Sequence, residues 1–347
     1  LALSSMTAAH ASCLVTGGGP IVDGAEVICS GTTIGSVIAP NANSVTVTVV
    51  AGATLDAGGA ARAIHLGNSA NVTVGAGALV VGTLGSVEPV VSVGSNSIVS
   101  VAGIVRTLGS GRTVTAFFNS VVSVSGQLDG DFGEDPAIYF IQSGAITGNA
   151  FGPTYLSSAG TVASVALQPP LYSTSELYNE PGGQVQAGVV HVSETYVAGF
   201  LVFLNGDTTI VNRGWIGPHP NGYAIQSVNR ILADLQFSNE LSGVVQGDVE
   251  ILRAVEVGRG TGTNLGLIDG RVVMPVPVSD AYGYGYGLPQ RFDNHGLVRD
   301  IEVASGEFVQ AADASFASNG SLRVAGDSSM PVYGSVFVDN DFLGTLT

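Results

Sequence analysis

The chain contains no lysine, only two cysteines and one tryptophan, and it has no run of about 18 apolar residues that could form a membrane-spanning helix. Its basic residues are 11 arginines, against 27 acidic residues, and the net charge is −16. Such a chain repels phosphate backbones and anionic lipid surfaces, so we expect no nucleic-acid partner. Motifs for zinc, nucleotide phosphates and nucleophilic serine are also missing, and the histidines lie far apart. We therefore expect no catalytic residue, no metal site and no cofactor.

Glycine and aliphatic residues dominate what is present. The 347 residues include 49 glycines, 45% are hydrophobic and 11% are charged. This balance favours many short strands joined by turns over helices with charged outer faces, and it is too apolar for an intrinsically disordered chain. The composition therefore predicts an all-β protein.

Three copies of a two-strand pattern lie between Ala61 and Leu128. Each copy ends near a glycine, at Gly77, Gly103 or Gly126, which predicts a turn after every second strand. In each copy one alternating apolar pair precedes another by eight residues: Ile64 and Leu66 before Val72 and Val74, Val91 and Val93 before Val99 and Val101, and Val114 and Ala116 before Val122 and Val124.

The pattern also has a constant period. Val49, Val74, Val101 and Val124 occupy the same place in successive copies and lie 25, 27 and 23 residues apart. This period is typical of stacked coils, each of which buries its apolar face against a neighbour. We therefore predict a right-handed parallel β-helix with about 23 to 27 residues per coil. Tandem β-sandwiches, which would pair their strands antiparallel, are the alternative.

The first 43 residues predict an exported protein with a capped N-terminus. Residues 1–11 have the character of the end of a signal peptide, and an ordinary strand or short helix is the alternative. In an exported protein, Cys13 and Cys29 on either side of a glycine-rich turn predict a disulfide, whereas two thiols without nearby histidines cannot complete a zinc site. We assign residues 12–43 to a cap that protects the edge of the first coil, and residues 44–347 to the helix.

A second form of the repeat follows residue 205 and is marked by asparagines. Each of these lies beside apolar residues and precedes a glycine by two to four positions: Asn212, Asn239, Asn294 and Asn340. Asparagine tolerates a left-handed backbone and can stack with its own kind. We therefore predict that these residues form the turns at one corner of the coil and stack from coil to coil.

The export features, the Cys13–Cys29 loop and the asparagine-rich repeats together resemble the passenger domains of autotransporters, which are surface-displayed β-helices of Gram-negative bacteria. The resemblance covers most of the chain from Cys13 onward. It implies a location at the cell surface or outside the cell, and a glycan or protein of a host or other cell surface as partner. It also implies tethering to the outer membrane through a C-terminal barrel beyond this sequence. A related exported β-helix without a barrel is the alternative.

Projecting loops are predicted where the period is interrupted, around residues 130–180 and 279–290, because glycine, proline, serine and tyrosine are frequent there. Aromatic side chains in or near such loops could contact a ligand, and packing on an adjacent coil is the alternative. The candidates are Tyr282, Tyr284, Tyr286 and Trp215.

Two groups of carboxylates could carry chemistry. The first has the spacing of a calcium loop without its closing glutamate, so a solvated acidic loop is the simpler interpretation. The second could meet across coils, as in a polysaccharide lyase or glycoside hydrolase, although a lyase acting on acidic sugars would also need basic neighbours. The first group is Asp129, Asp131 and Asp135, and the second is Asp234, Glu250, Asp269 and Glu302.

Taken together, these patterns favour an exported, non-catalytic structural or adhesive β-helix protein. An exported carbohydrate-active enzyme on the same fold is the alternative. Cleavage of a polysaccharide that depends on one carboxylate would favour the enzyme.

Overall fold

A computed structural model describes residues 12–133, 137–153, 155–167, 174–192, 194–197, 200–203, 207–228, 234–251, 260–274, 290–303, 306–311, 314–316, 321–324, 334–338 and 345–346. The chain forms two compact units, Leu1–Gly148 and Asn149–Thr347, which we call the N-terminal and C-terminal units. The described part of the chain is built from strands and turns and contains no helix that could span a membrane.

The coils of the N-terminal unit place short strands on three faces. The first face comprises Ser12–Val15, Glu26–Ser30, Thr46–Val49, Asn71–Val74, Ile98–Val101, Val121–Val124 and Ile138–Ile141. The second comprises Thr32–Ile34, Thr54–Asp56, Leu79–Val81, Ile104–Arg106 and Gln127–Asp129. The third comprises Val37–Ala39, Ile64–Leu66, Val91–Val93 and Val114–Ala116. Phe132–Gly133 is a further short strand, and Ala145–Phe151 crosses the boundary between the units.

Strands of successive coils pair in parallel with the register that the sequence period predicts. Val49 pairs with Val74, Val74 with Val101, and Val101 with Val124. These valines are at most 1% exposed, so each coil buries its apolar column on the next. The predicted parallel β-helix is confirmed, and the intervals of 25, 27 and 23 residues each correspond to one coil.

The corner between the third and first faces is a left-handed turn. Ser44, Ser69, Asn96 and Asn119 have φ between 56° and 58° and are the non-glycine residues with positive φ in the described chain. Their turns stack, since the Ser44 amide donates to the Asn68 carbonyl and the Ser69 amide to the Ser95 carbonyl. Serine and asparagine at this corner accept a conformation that costs most side chains about 1–2 kcal/mol per residue.

The N-terminal strand runs opposite to the strand that follows it on the first face. Ser12–Val15 runs antiparallel to Glu26–Ser30, with Cys13 directly opposite Cys29, and the two are joined by the predicted disulfide. Glu26–Ser30 then pairs in parallel with Thr46–Val49. The hairpin therefore covers the edge of the first parallel coil, which would otherwise present unpaired amides and carbonyls.

Close stacking explains two glycines of the repeat better than turn conformation does. Gly103 and Gly126 have no positive φ. A Cβ atom at Gly126 would lie 2.0 Å from the carbonyl oxygen of Gly103, and one at Gly103 would lie 2.3 Å from the carbonyl oxygen of Ala78. Any other residue would therefore push the coils apart at this position.

The C-terminal unit has two principal faces. Its first face comprises Tyr155–Ser158, Ser175–Asn179, Thr208–Asn212, Leu235–Asn239, Gly260–Asn264, Arg291–Asn294, Gly306–Gln310 and Gly334–Val338. Its second face comprises Thr161–Leu167, Gln184–Val185, Val189–Val192, Trp215–Ile216, Tyr223–Val228, Val244–Gln246, Asp248–Glu250, Leu267–Met274, Leu297–Val303, Ser315–Phe316, Ser321–Val324 and Thr345–Leu346. A separate antiparallel pair is formed by Glu194–Val197 and Phe200–Phe203.

The segment predicted to project as loops around residues 130–180 contains more strands than expected. Ile138–Ile141 and Thr161–Leu167 are strands that lie in apolar runs, and Ala145–Phe151 and Tyr155–Ser158 are strands as well. Glycine and serine obscure their alternation, whereas the inward Ile146 and Leu156 are at most 2% exposed. The predicted loop at 279–290 falls almost wholly outside the described residues.

Candidate functional site

A column of buried amides ends the first-face strands of the C-terminal unit. The side-chain nitrogen of each asparagine donates to the side-chain oxygen of the next member over 2.7–2.8 Å. Several of these nitrogens also donate to a main-chain carbonyl, as Asn239 does to Leu267 at 3.2 Å. The members are fully buried and share one register position: Asn179, Asn212, Asn239, Asn264, Asn294 and Gln310. We call this column the amide ladder.

The amide ladder corrects the predicted role of three asparagines. Asn212, Asn239 and Asn294 stack from coil to coil, but each is the last residue of a strand and none has a positive φ. The predicted stacking is therefore confirmed, and the predicted left-handed backbone is wrong. Their side chains also bond the main chain of the turn that follows, as Asn239 does to Gly243 and Asn294 to Gly296. Asn340 lies outside the described residues.

Sequence reasoning missed Asn179, Asn264 and Gln310. Asn264 precedes Gly266 by two positions, in the same way as Asn212 precedes Gly214, so its spacing carried the signal. Gln310 has no such glycine, and only the register of its strand places it in the ladder.

Carboxylates on the second face of the C-terminal unit bind arginines of neighbouring coils. Arg271 donates to Asp248 at 2.9 Å and to Glu302 at 2.7 Å, and Arg299 donates to Asp269. The hydrogen bond to Asp248, helped by the charges of Asp248 and Glu302, raises the pKa of Arg271 above its ordinary value. Asp269 and Glu302, two of the four carboxylates that the enzyme alternative would bring together across coils, thus take part in pairs that connect coils.

The structure brings together only some of the four carboxylates Asp234, Glu250, Asp269 and Glu302. Asp234 lies just before the first-face strand Leu235–Asn239, whereas Glu250 and Glu302 are on the second face. Glu250 pairs in register with Val273, and Val273 pairs with Glu302, so the two glutamates occupy one outward column with a valine between them. Two strand spacings separate their backbones by about 9.6 Å. Glu250 is 5% exposed.

The acidic group Asp129, Asp131 and Asp135 has its first member bound to side chains of the same unit. Asp129 accepts hydrogen bonds from Arg106 at 2.6 Å and Thr147 at 2.9 Å. The hydrogen bond from Arg106, followed by that from Thr147, lowers the pKa of Asp129. Asp135 lies outside the described residues. Within the described ranges, no three His, Cys, Asp or Glu side chains are grouped in a way that could hold a metal ion.

Trp215, one of the aromatic candidates, packs on its own chain. It is half-buried on the second face, and a Cβ atom at Gly217 would lie 2.3 Å from its indole Cη2 atom. The ring therefore covers the backbone of Gly217, which favours the packing alternative. Tyr282, Tyr284 and Tyr286 lie outside the described residues.

A groove of about 310 Å³, which we call the third-face groove, lies on the N-terminal unit. Its floor is an outward column of three coils in which His65 pairs with Ser92 and Ser92 with Thr115. Ser92 and Thr115 are only 4% exposed although their side chains point away from the core, because the rim covers them. The rim residues are Arg62, Val87, Glu88, Pro89 and Phe117. Alternation predicts His65 at the surface, but the groove leaves it half-buried.

The charged groups of the third-face groove bind one another. Arg62 Nε donates to Glu88 at 3.0 Å, and Arg62 Nη1 lies 3.0 Å and 2.8 Å from the two ring nitrogens of His65. Burial and the Arg62 charge lower the pKa of His65, and Glu88 opposes them. The imidazole is therefore neutral near pH 7. The buried Thr115 hydroxyl has no hydrogen-bond partner.

Comparisons with protein-family models, curated proteins and solved structures found no match for this chain.

Proposed function

We propose that this chain is an exported, non-catalytic β-helix protein of the cell surface, similar to an autotransporter passenger, that acts as a structural or adhesive scaffold. The observation that carries the proposal is the use of carboxylates on the second face. Asp269 and Glu302 bind arginines of neighbouring coils, as Asp248 does, and they thereby add contacts along the stack.

Such pairing supports a structural role over a catalytic one. A general acid or nucleophile must reach a substrate atom within hydrogen-bond distance, with its protonation state set for that task. A carboxylate bound to an arginine directs its oxygens at that partner and would have to release it first. Surface pairs of this kind contribute about 0.2–1 kcal/mol each, which suits a column of small increments along a stack.

The N-terminal hairpin supports export. Cys13 and Cys29 are the only cysteines of the sequence and form one disulfide. Structural disulfides form in oxidising compartments outside the cytosol. The hairpin also blocks edge-to-edge association of the first coil, which a protein displayed at high density on a surface needs.

The proposed lack of catalytic activity is tested by incubating the purified chain with a panel of neutral and acidic polysaccharides. We expect no release of reducing ends and no unsaturated uronate product. Turnover that copurifies with the chain and survives in a second preparation would contradict the proposal.

A carbohydrate-active enzyme is the second candidate because Glu250 and Glu302 share one outward column. They project from strands two coils apart, and a pair of carboxyl groups on either side of one glycosidic bond is what glycoside hydrolysis requires. If turnover is found, Glu250→Gln should abolish it, while Glu240→Gln, at the end of the first face, should not.

Export is tested on intact cells of the source organism with an antibody against this chain. Labelling of intact cells, and its loss after brief external protease treatment, would support surface display. Labelling only after lysis would contradict it.

A further inference from the structure

We propose that the third face of the N-terminal unit is a surface through which two copies of this chain associate. The inference goes beyond the proposed function, because it names a partner and a contact surface, and it does not depend on export. The contact is made by side chains exposed around the face, so the capped edge of the first coil takes no part in it.

Six large apolar side chains lie exposed around the third face. They are between 39% and 80% exposed: Ile38, Leu84, Val87, Leu108, Phe117 and Phe118. Val87 and Phe117 line the third-face groove, and Ile38 belongs to the outward column of the face, because it pairs with His65. Groups of exposed apolar side chains are uncommon on soluble monomers and mark surfaces that contact other proteins. We call these six side chains the association surface.

The turn that carries the two phenylalanines does not require them. Phe117 and Phe118 lie at the corner where the third face ends, and one coil earlier the same two positions are Gly94 and Ser95. Both turns continue with an asparagine in the left-handed conformation, and φ is 58° in each. Small residues thus make the same turn, so the turn itself does not account for the exposed rings.

The backbone under the association surface is held in place by the stack. The Gly85 amide, next to Leu84, donates to the Leu108 carbonyl at 3.3 Å, so the loops that carry the two leucines lie on each other. The Asn96 amide donates to the Phe118 carbonyl at 2.9 Å. Side chains on a backbone that is already fixed lose less entropy on binding, which favours contact with a partner.

Charge favours a second copy as that partner. The charged pair beside the groove is Arg62 with Glu88, whose side chains are 25% and 42% exposed. A two-fold rotation places a basic and an acidic neighbour opposite the same pair in reverse order, so each charge faces its opposite. The six apolar side chains are uncharged, so two copies of a chain with net charge −16 meet no excess of like charge there.

The size of the association surface sets the expected strength. It extends over four coils, from Ile38 to Phe117, which is a height of about 14 Å at the spacing of paired strands. Such a patch is smaller than the roughly 800 Å² that a standard interface takes from each partner. We therefore expect a reversible dimer with a dissociation constant between about 10 μM and 1 mM.

The experiment is sedimentation equilibrium of the full chain at concentrations from about 5 μM to about 500 μM, in low and in high salt. We expect a monomer–dimer equilibrium that shifts towards the dimer in high salt, because salt screens the repulsion between two acidic chains. Association driven by attraction between opposite net charges would weaken in high salt instead.

Serine variants identify the surface. Phe118→Ser copies the serine at the same position one coil earlier, so it should keep the melting temperature. It should weaken dimerisation about tenfold or more, as expected for an aromatic side chain that anchors an interface. Leu84→Ser should weaken it as well. The matched control is Leu241→Ser, which removes a leucine that is 83% exposed on the C-terminal unit and should leave dimerisation unchanged.

Charge reversal tests the two-fold arrangement. Glu88→Arg and Arg62→Glu each place two like charges beside the groove, so neither variant should dimerise on its own. An equimolar mixture of the two should associate again, because the basic pair of one then faces the acidic pair of the other.

The proposal is overturned if the full chain stays monomeric at the highest concentration in both salts, whether or not it binds another protein. It is also overturned if Phe118→Ser keeps its melting temperature and dimerises as tightly as the unchanged chain, or if Leu241→Ser abolishes dimerisation. Should Phe118→Ser lower the melting temperature, Leu84→Ser decides in its place. Failure of the charge-reversed mixture to associate would overturn the two-fold arrangement. The proposed scaffold function is judged separately, by polysaccharide turnover and surface labelling.

Discussion

The two units end their first-face strands with different chemistry. In the N-terminal unit the last residue of successive strands is Val49, Val74, Val101 or Val124, and these side chains pack on one another in the core. In the C-terminal unit the corresponding last residues are the members of the amide ladder. Parallel coils are stacked in both units, so one backbone arrangement supports an apolar column and a hydrogen-bonded one.

The difference lies in how each column depends on its neighbours. A valine contributes through the apolar area it buries, and its contribution is nearly independent of what the adjacent valine does. A ladder amide donates a hydrogen bond to one neighbour and accepts a hydrogen bond from the other. Its burial is favourable only while both neighbours are amides, because an unpaired buried amide carries a large desolvation cost.

The largest expected effect comes from interrupting the amide ladder. Asn239→Leu would leave Asn212 without its ladder acceptor and Asn264 without its ladder donor. With two buried groups unpaired, we expect the free energy of unfolding to fall by about 2–5 kcal/mol, measured by denaturant unfolding.

Two further variants sharpen this comparison. Gln310→Leu removes only one ladder bond, and the Gln310 side-chain nitrogen has no partner in the first place, so the loss should be about 1 kcal/mol or less. Val101→Asn places an amide in the apolar column and should be strongly destabilising. Equal losses for Asn239→Leu and Gln310→Leu would show that the ladder bonds do not act as described.

A loss confined to the N-terminal unit is expected on removing the disulfide. Cys13 and Cys29 close a loop with a sequence separation of 16, and a loop of that size contributes about 3 kcal/mol in the chain-entropy account. The double variant Cys13→Ser, Cys29→Ser should therefore unfold more easily. Hydrogen exchange should accelerate in Glu26–Ser30 and the coils beside it.

The control for this prediction is the unchanged chain under reducing conditions, which should behave like the double variant. Faster exchange in the amide-ladder strands of the C-terminal unit would contradict a local role for the hairpin.

The smallest effect is expected from breaking the ion pair between Arg106 and Asp129, which joins two coils of the N-terminal unit. The pKa of Asp129 is lowered in the folded chain, so its contribution is present above the ordinary carboxyl pKa and disappears as the pH falls through the lowered value. Asp129→Asn should therefore reduce stability near pH 7 by about 0.2–1 kcal/mol and flatten the acid limb of the stability curve. Thermal melting between pH 7 and pH 2 measures both.

Salt provides the control for Asp129. The difference between the unchanged chain and Asp129→Asn should shrink in high salt, because exposed charges are screened. A stability difference that is the same at every pH and salt concentration would show that Asp129 contributes through packing and not through its charge.

The coil register of the N-terminal unit was predictable because two independent periods agree there. Alternation sets which residues point inward, and the spacing of Val49, Val74, Val101 and Val124 sets which coil lies on which. An error of one residue in either period would expose a whole apolar column. In contrast, strands such as Tyr155–Ser158 lacked such redundancy, and their residues were predicted to lie in projecting loops.

The third-face groove was not predictable for a different reason. Ser92 and Thr115 occupy outward positions, and alternation assigns such positions to solvent. Their burial depends on how the segment from Val87 to Pro89 and the ring of Phe117 fold over them. That arrangement is a matter of loop and side-chain packing, for which the sequence has no period. The amide ladder lies between these cases, since the spacing of Asn264 carried a signal and that of Gln310 did not.

The amide ladder has a consequence for how such a protein can change over time. Successive members are 33, 27, 25, 30 and 16 residues apart, yet their hydrogen bonds all measure 2.7–2.8 Å. The bonds fix the pitch of the stack and leave the length of each coil free, and lengthening a surface loop is energetically inexpensive. Segments can therefore be inserted or deleted between two ladder amides without disturbing the core. The C-terminal unit is thereby suited to acquiring new surface loops, or to carrying grafted ones.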